Sequence, residues 1–226
     1  MKSYRNIKIK FYYLFLLFVT TLFLSTSNAA NLIERNKSET YKDIIEKAQN
    51  LILQKNRSQA LDILKNAAQR EQNLNAVKEL KKTAIEIANI FMTEKTHQLY
   101  ENALSLRFTN LSDAMSRVNE ALKIEPNNMM LMTELGRLMN AKKDCKAAEA
   151  NAFAMSELIP FYERVDLSLA QAYQCSANWD GYKNVVSPLN LKKSEDRYAW
   201  DVLEFHYALQ TNQLLLAQQS LKTLSE

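Results

Sequence analysis

From Tyr41 onward, apolar residues recur at intervals of three and four. Ile44, Ile45, Ala48, Leu51 and Ile52 share one helical face, and a polar join follows at 54–58. Ala60, Leu61, Ile63, Leu64 and Ala67 then form a second face. This is the helical period and not the two-residue alternation of a strand, so the pattern predicts a helical hairpin. Leu74, Val77, Leu80, Ala84, Ile87, Ala88 and Phe91 carry the next apolar stripe, and Leu99, Ala103, Leu104 and Leu106 continue it. No Gly or Pro interrupts Leu74 to Phe108, which predicts one long helix. The alternative is a break at 93–96, where threonine disfavours a helix interior and can cap a new start.

The stretch from Leu111 to Pro160 sets the register for the second half. A helix carrying Ala114, Val118, Ala121 and Leu122 stops at Pro126. A pair then follows, with Met129, Met132, Leu135, Gly136 and Met139 on its first helix and Ala147, Ala148, Ala152, Met155 and Leu158 on its second, before Pro160. Proline lacks the donor a helix needs and pushes the preceding residue out of helical angles. The order large-x-x-Leu-Gly-x-x-large, a small residue in the second helix and a terminal proline resembles the tetratricopeptide repeat at its 34-residue period. Met132, Leu135, Gly136, Met139, Ala148 and Pro160 carry the match. One period later stand Asp166, Leu169, Ala170, Tyr173, Tyr182 and Val186, and after another Trp200, Leu203, Glu204 and Tyr207. Departures are Tyr182 in place of a small residue, Pro188 six residues early and a one-residue slip in the last hairpin. An excess of 20 residues between Ala60 and Ala114 is assigned to the long central helix.

The resemblance implies an all-α fold, with antiparallel helix hairpins stacked as a right-handed solenoid and one long central helix. Each hairpin is too small to bury its own stripe and does so on its neighbour. A concave face would then be lined by the first helices: Thr133, Arg137 and Asn140, then Arg164, Leu167, Gln171 and Gln174, then Tyr198, Asp201 and Phe205. Arginine forks, amides and aromatics suit an extended peptide or a partner helix. The Lys-and-Asn grip by which some family members hold a C-terminal carboxylate is not reproduced. In such a stack Cys145, opening one helix, lies beside Cys175, closing its neighbour. A disulfide between them closes about 30 residues, worth roughly 3–4 kcal/mol in the chain-entropy model; two buried thiols are the other reading.

The N-terminus changes what composition means. Lys2, Arg5, Lys8 and Lys10 precede an apolar run from Phe11 to Leu24, followed by Ser25-Thr26-Ser27-Asn28-Ala29-Ala30. This is the grammar of a secretory signal peptide, cleaved after Ala29 or the neighbouring Ala30, and it predicts a periplasmic or secreted protein; an uncleaved membrane anchor is the other reading, although the run is shorter than the ~20 residues a span needs. Without those four basic residues the chain carries 25 basic and 25 acidic side chains. A neutral balance argues against nucleic acid, whose binding rests on clustered Lys and Arg. Only two glycines and three prolines occur, too few for a sheet protein's turns or a phosphate-cradling loop. The expected organisation is a signal peptide at 1–29, a disordered segment at 30–40, a degenerate hairpin plus long helix at 41–93 and the repeat array at 94–226.

No catalytic or cofactor signature emerges. His97 and His206, the only histidines, lack the convergent ligands a metal requires, and no Ser/His/Asp set presents itself. Met129, Met130, Met132 and Met139 offer either core or an adaptable surface. The sequence therefore predicts a non-enzymatic exported scaffold with no cofactor and no metal, docking a protein partner of the cell envelope in its groove. The alternative is a carrier or binding subunit for a small ligand or cell-wall fragment. Leu214, Leu215 and Leu221 on the last hairpin predict a face open to a partner or a second copy.

Overall fold

The computed structural model describes residues 39–189, 194 and 196–225; the leader and the predicted cleavage site lie outside them. Every described helix belongs to one compact unit, Tyr41–Glu226. In chain order the helices are α1 (Tyr41–Leu53), α2 (Arg57–Arg70), α3 (Leu74–Asn89), α4 (Glu94–Leu106), α5 (Leu111–Ile124) and α6 (Met129–Ala141). They continue with α7 (Cys145–Leu158), α8 (Glu163–Cys175), α9 (Trp179–Val186), α10 (Arg197–Gln210) and α11 (Leu214–Ser225). Among the described residues the fold is all-α, with no strand.

The 34-residue step is visible in where the helices begin. α6, α8 and α10 begin at Met129, Glu163 and Arg197, and α5, α7 and α9 at Leu111, Cys145 and Trp179, 34 residues apart each time. The hairpin turns repeat as well. Lys55, Lys143, Ala177 and Asn212 each adopt a positive φ, between 55° and 62°. The amide that follows each of them closes back on the carbonyl five residues earlier: Asn56 on Leu51, Asp144 on Met139, Asn178 on Tyr173 and Gln213 on Ala208. This left-handed closure satisfies carbonyls that the helix end leaves over. In three of the four turns the next residue also caps the partner helix, as Asn56, Asp144 and Asn178 accept from the amides of Gln59, Ala147 and Gly181.

The long central helix does not form. The chain breaks between Asn89 and Glu94, and the 20 extra residues make a complete additional helix, α3, with its loop. Two causes act together. The Thr93 hydroxyl accepts from the Thr96 amide and caps α4, while the carboxylate of Glu125 accepts from the amides of Met92 and Thr93, both at 2.8 Å.

That carboxylate belongs to a buried ion pair. Arg57 at the start of α2 is 2% exposed and Glu125 at the end of α5 is 1% exposed; their charged atoms stand 2.9 Å apart. Arg57 also donates to the carbonyls of Ile87 (3.2 Å) and Ile90 (2.5 Å) at the end of α3. Asn128, fully buried, donates to Glu125 and to Ile90 while capping α6. Burial lowers the Arg57 guanidinium from its ordinary value, and Glu125 counteracts it. Burial alone pushes the Glu125 carboxyl up, but hydrogen bonds from Met92, Arg57 and Asn128 together with the Arg57 charge hold it below its ordinary value. Ends of α2, α3, α5 and α6 thus meet at one satisfied polar knot.

Around α6 the packing is two-sided. Leu131, Leu135 and Leu138 meet Leu99, Tyr100 and Ala103 of α4 and Ala114, Val118 and Ala121 of α5. Met129 and Met132 belong instead to the core formed by Leu61 and Leu64 of α2, Leu80, Ala84 and Ile87 of α3, and Ala152 and Met155 of α7. Helices far apart in sequence therefore touch, α3 with α6 and α2 with α7. A third cluster joins Leu167 and Ala170 of α8, Tyr182 of α9 and Trp200, Leu203 and Tyr207 of α10. Tyr182 fills the place of the expected small residue by stacking on Tyr207, with ring centroids 4.9 Å apart. α9 is correspondingly short, eight residues. Leu214, Leu215 and Leu221 are exposed at the last hairpin.

Candidate functional site

The hairpin turns place a groove at the C-terminal ends of α6, α8 and α10. Arg137 and Asn140 come from α6, with Lys143 from the turn beyond it. Gln171, Gln174 and Cys175 come from α8, with Ala177 in its turn and Trp179 opening α9. Leu203, His206 and Gln210 come from α10. The groove is open to solvent, with a volume of about 510 Å³. Because each first helix ends in the same left-handed turn, the three ends line up and their last exposed turns face a common space.

Cys145 and Cys175 form a disulfide across this end, with Cα atoms 5.4 Å apart. One cysteine lies two residues after Lys143 and the other two residues before Ala177, so the bond ties two consecutive turns directly. Gln174 donates to the Leu203 carbonyl at 2.5 Å, linking α8 to α10 on the floor.

Of the ten residues assigned to the concave face, Arg137, Asn140, Gln171 and Gln174 line this groove. Thr133 and Leu167 are buried and belong to the core; the face they occupy is covered by neighbouring helices. Arg164 is engaged by Asp196 at 3.3 Å, Asp201 by Arg197 at 3.5 Å, and Phe205 stands edge-on to its neighbour His206. Tyr198 is exposed but does not line the groove. Strict addition of 34 from Arg137 points to Phe205, yet α10 presents Leu203, His206 and Gln210 instead. The one-residue slip of the last hairpin falls on α11, at Ala217, and does not account for this, since α10 starts in register. Trp179 and Lys143 were also missed, although their places in the turns follow from the period.

The charges on this side are uneven. The groove lining contains Arg137 and Lys143 and no carboxylate. One turn before Arg137, Glu134 is 1% exposed. Its Oε2 stands 3.6 Å from the Arg137 guanidinium and 4.0 Å from that of Arg107, at the end of α4. Neither contact is a hydrogen bond: both Glu134 oxygens, the Arg107 Nε and the Asn140 Oδ1 are buried without a partner. Among the described residues no group of three or more His, Cys, Asp or Glu is arranged to hold a metal.

Comparison with protein-family models, with curated proteins and with solved structures finds no match for this chain. Its chemistry must therefore be argued from the groove itself, which offers amides, cations and one tryptophan but no nucleophile paired with a base.

Proposed function

We propose that the chain is an exported, non-enzymatic scaffold of tetratricopeptide-like hairpins, binding an extended segment of a protein partner in the groove between α6, α8 and α10. The observation that carries this reading is the groove's construction. Three helix ends aligned by a repeated turn, two of those turns tied by a disulfide, present Asn140, Gln171, Gln174 and Gln210 along one channel. Side-chain amides offer both donors and acceptors, the complement of an extended main chain. The leader grammar and the disulfide both fit a periplasmic or secreted location, where disulfides persist.

The test is site-specific photo-cross-linking. A benzoylphenylalanine at Gln171 should trap one segment of a partner, identified by mass spectrometry, and the same group at Lys82 of α3, whose side chain is 74% exposed, should not. Identical adducts from both positions would refute the groove.

A further inference from the structure

The buried atoms without partners are not scattered. Among the described residues three of the five belong to one contact, Arg107 Nε and the two Glu134 oxygens, and Asn140 Oδ1 lies six residues further along α6. Well-folded proteins satisfy nearly all such atoms, so three at one contact single out this pair. A buried carboxylate draws in opposite charge, and Glu134 draws in two guanidiniums, yet it accepts a hydrogen bond from neither. Arg137 keeps 47% of its side chain exposed and Arg107 keeps 37%. The Arg107 guanidinium carbon also lies 4.7 Å from the centre of the Phe108 ring. Two positive charges against one negative leave the cluster with a net charge of +1, and Arg137 carries that surplus into a groove lacking any carboxylate. Lys143 adds charge, but a cation just past the C-terminus of α6 is already favoured by the helix dipole, so the argument rests on the arginines.

Resting on the reading of the groove as a peptide site, we propose that its ligand is an acidic segment, with side-chain carboxylates received by Arg137 in the groove and by Arg107 just beyond its lining, the two guanidiniums that flank the buried Glu134. Guanidiniums receive carboxylates in bidentate fashion, and both of these keep part of the side chain open to solvent. The chain as a whole needs no such surplus, since outside the leader its charges balance. Arg117 shows the difference. It stands the same 3.6 Å from Glu120, but that acid is exposed and the pair is an ordinary surface contact.

The experiment uses Trp179, which lines the groove, as a fluorescent reporter; the second tryptophan, Trp200, is fully buried. The probes are ten-residue peptides, acetylated and amidated to remove terminal charges, alternating Glu-Ala, Gln-Ala or Lys-Ala. The Glu-Ala peptide should perturb Trp179 and bind at least tenfold tighter than the other two. Arg107→Gln and Arg137→Gln should each weaken it about tenfold or more, as expected for a lost charge-assisted contact, whereas Arg117→Gln should stay within twofold. Loss of the fluorescence response in Trp179→Phe confirms where it arises. Equal binding of Glu-Ala and Gln-Ala peptides would overturn the acidic assignment and leave the groove standing. Silence from all three peptides would overturn both readings. Tighter binding of an alginate oligosaccharide than of the Glu-Ala peptide would overturn the peptide in favour of a carboxylated glycan.

Discussion

Replacing Glu125 by Gln tests the buried knot with the smallest possible change in shape. In the native protein this carboxylate accepts from Arg57 (2.9 Å), from the Met92 and Thr93 amides (2.8 Å each), from the Thr93 hydroxyl (3.2 Å) and from Asn128 (3.3 Å). Glutamine keeps one acceptor oxygen for the two amides but turns an NH2 toward Arg57, leaving a buried guanidinium without its counter-charge. Breaking one side of a buried ion pair costs about 3–5 kcal/mol. For a domain of this size 3 kcal/mol corresponds to a fall in Tm of roughly 6–12 °C. The stated loss should appear in urea unfolding followed by helix ellipticity, with the m-value unchanged. Acid titration adds a second, independent readout. The folded carboxyl is held below its ordinary value of about 4.3, so the folded state takes up its proton at lower pH than the unfolded chain does. Its contribution is therefore complete above about pH 4.3 and is lost as pH falls through the folded value. Glu125→Gln removes that share of the acid limb. A loss under about 1 kcal/mol, together with an unchanged acid limb, would refute the assignment of Glu125 as the clasp between the N-terminal helices and α6.

Two further outcomes follow from the turns and the disulfide. Ala177 holds a φ of 55°, where a Cβ is crowded and glycine is not; Ala177→Gly should stabilise by about 0.5–1 kcal/mol in thermal melts, and a destabilisation would refute the left-handed turn. The Cys145→Ser/Cys175→Ser double variant opens a closed loop of about 30 residues and should lose roughly 3–4 kcal/mol. Dithiothreitol should bring the wild type to the same midpoint and leave the variant unmoved; an unchanged wild-type midpoint after reduction would refute the bridge's contribution.

What the sequence determined by itself is local and periodic. The 3.6-residue spacing placed α1, α2 and the helices from α5 onward, because an amphipathic stripe is written in neighbours three and four apart. The 34-residue step placed Cys145 against Cys175 for the same reason: adjacent hairpins repeat one geometry, so an offset along the chain becomes an offset in space. Arg137, Asn140, Gln171 and Gln174 were legible as a shared face on that ground. Tertiary structure decided the rest. The end of α3 is set in part by Glu125, more than 30 residues away, whose acceptor oxygens complete a break that Thr93 only begins. Arg57 carries no local sign of burial; it is buried because the ends of three other helices converge on it. α10 keeps the 34-residue register, yet it lines the groove with Leu203, His206 and Gln210 and not with Phe205, a choice made only when α10 packs on α8 and α9. Glu134 reads as an ordinary helix-surface acid until α4 brings Arg107 across to it. Periodicity records which residues share a helix face, whereas the partner of a buried charge is fixed only when distant helices have packed.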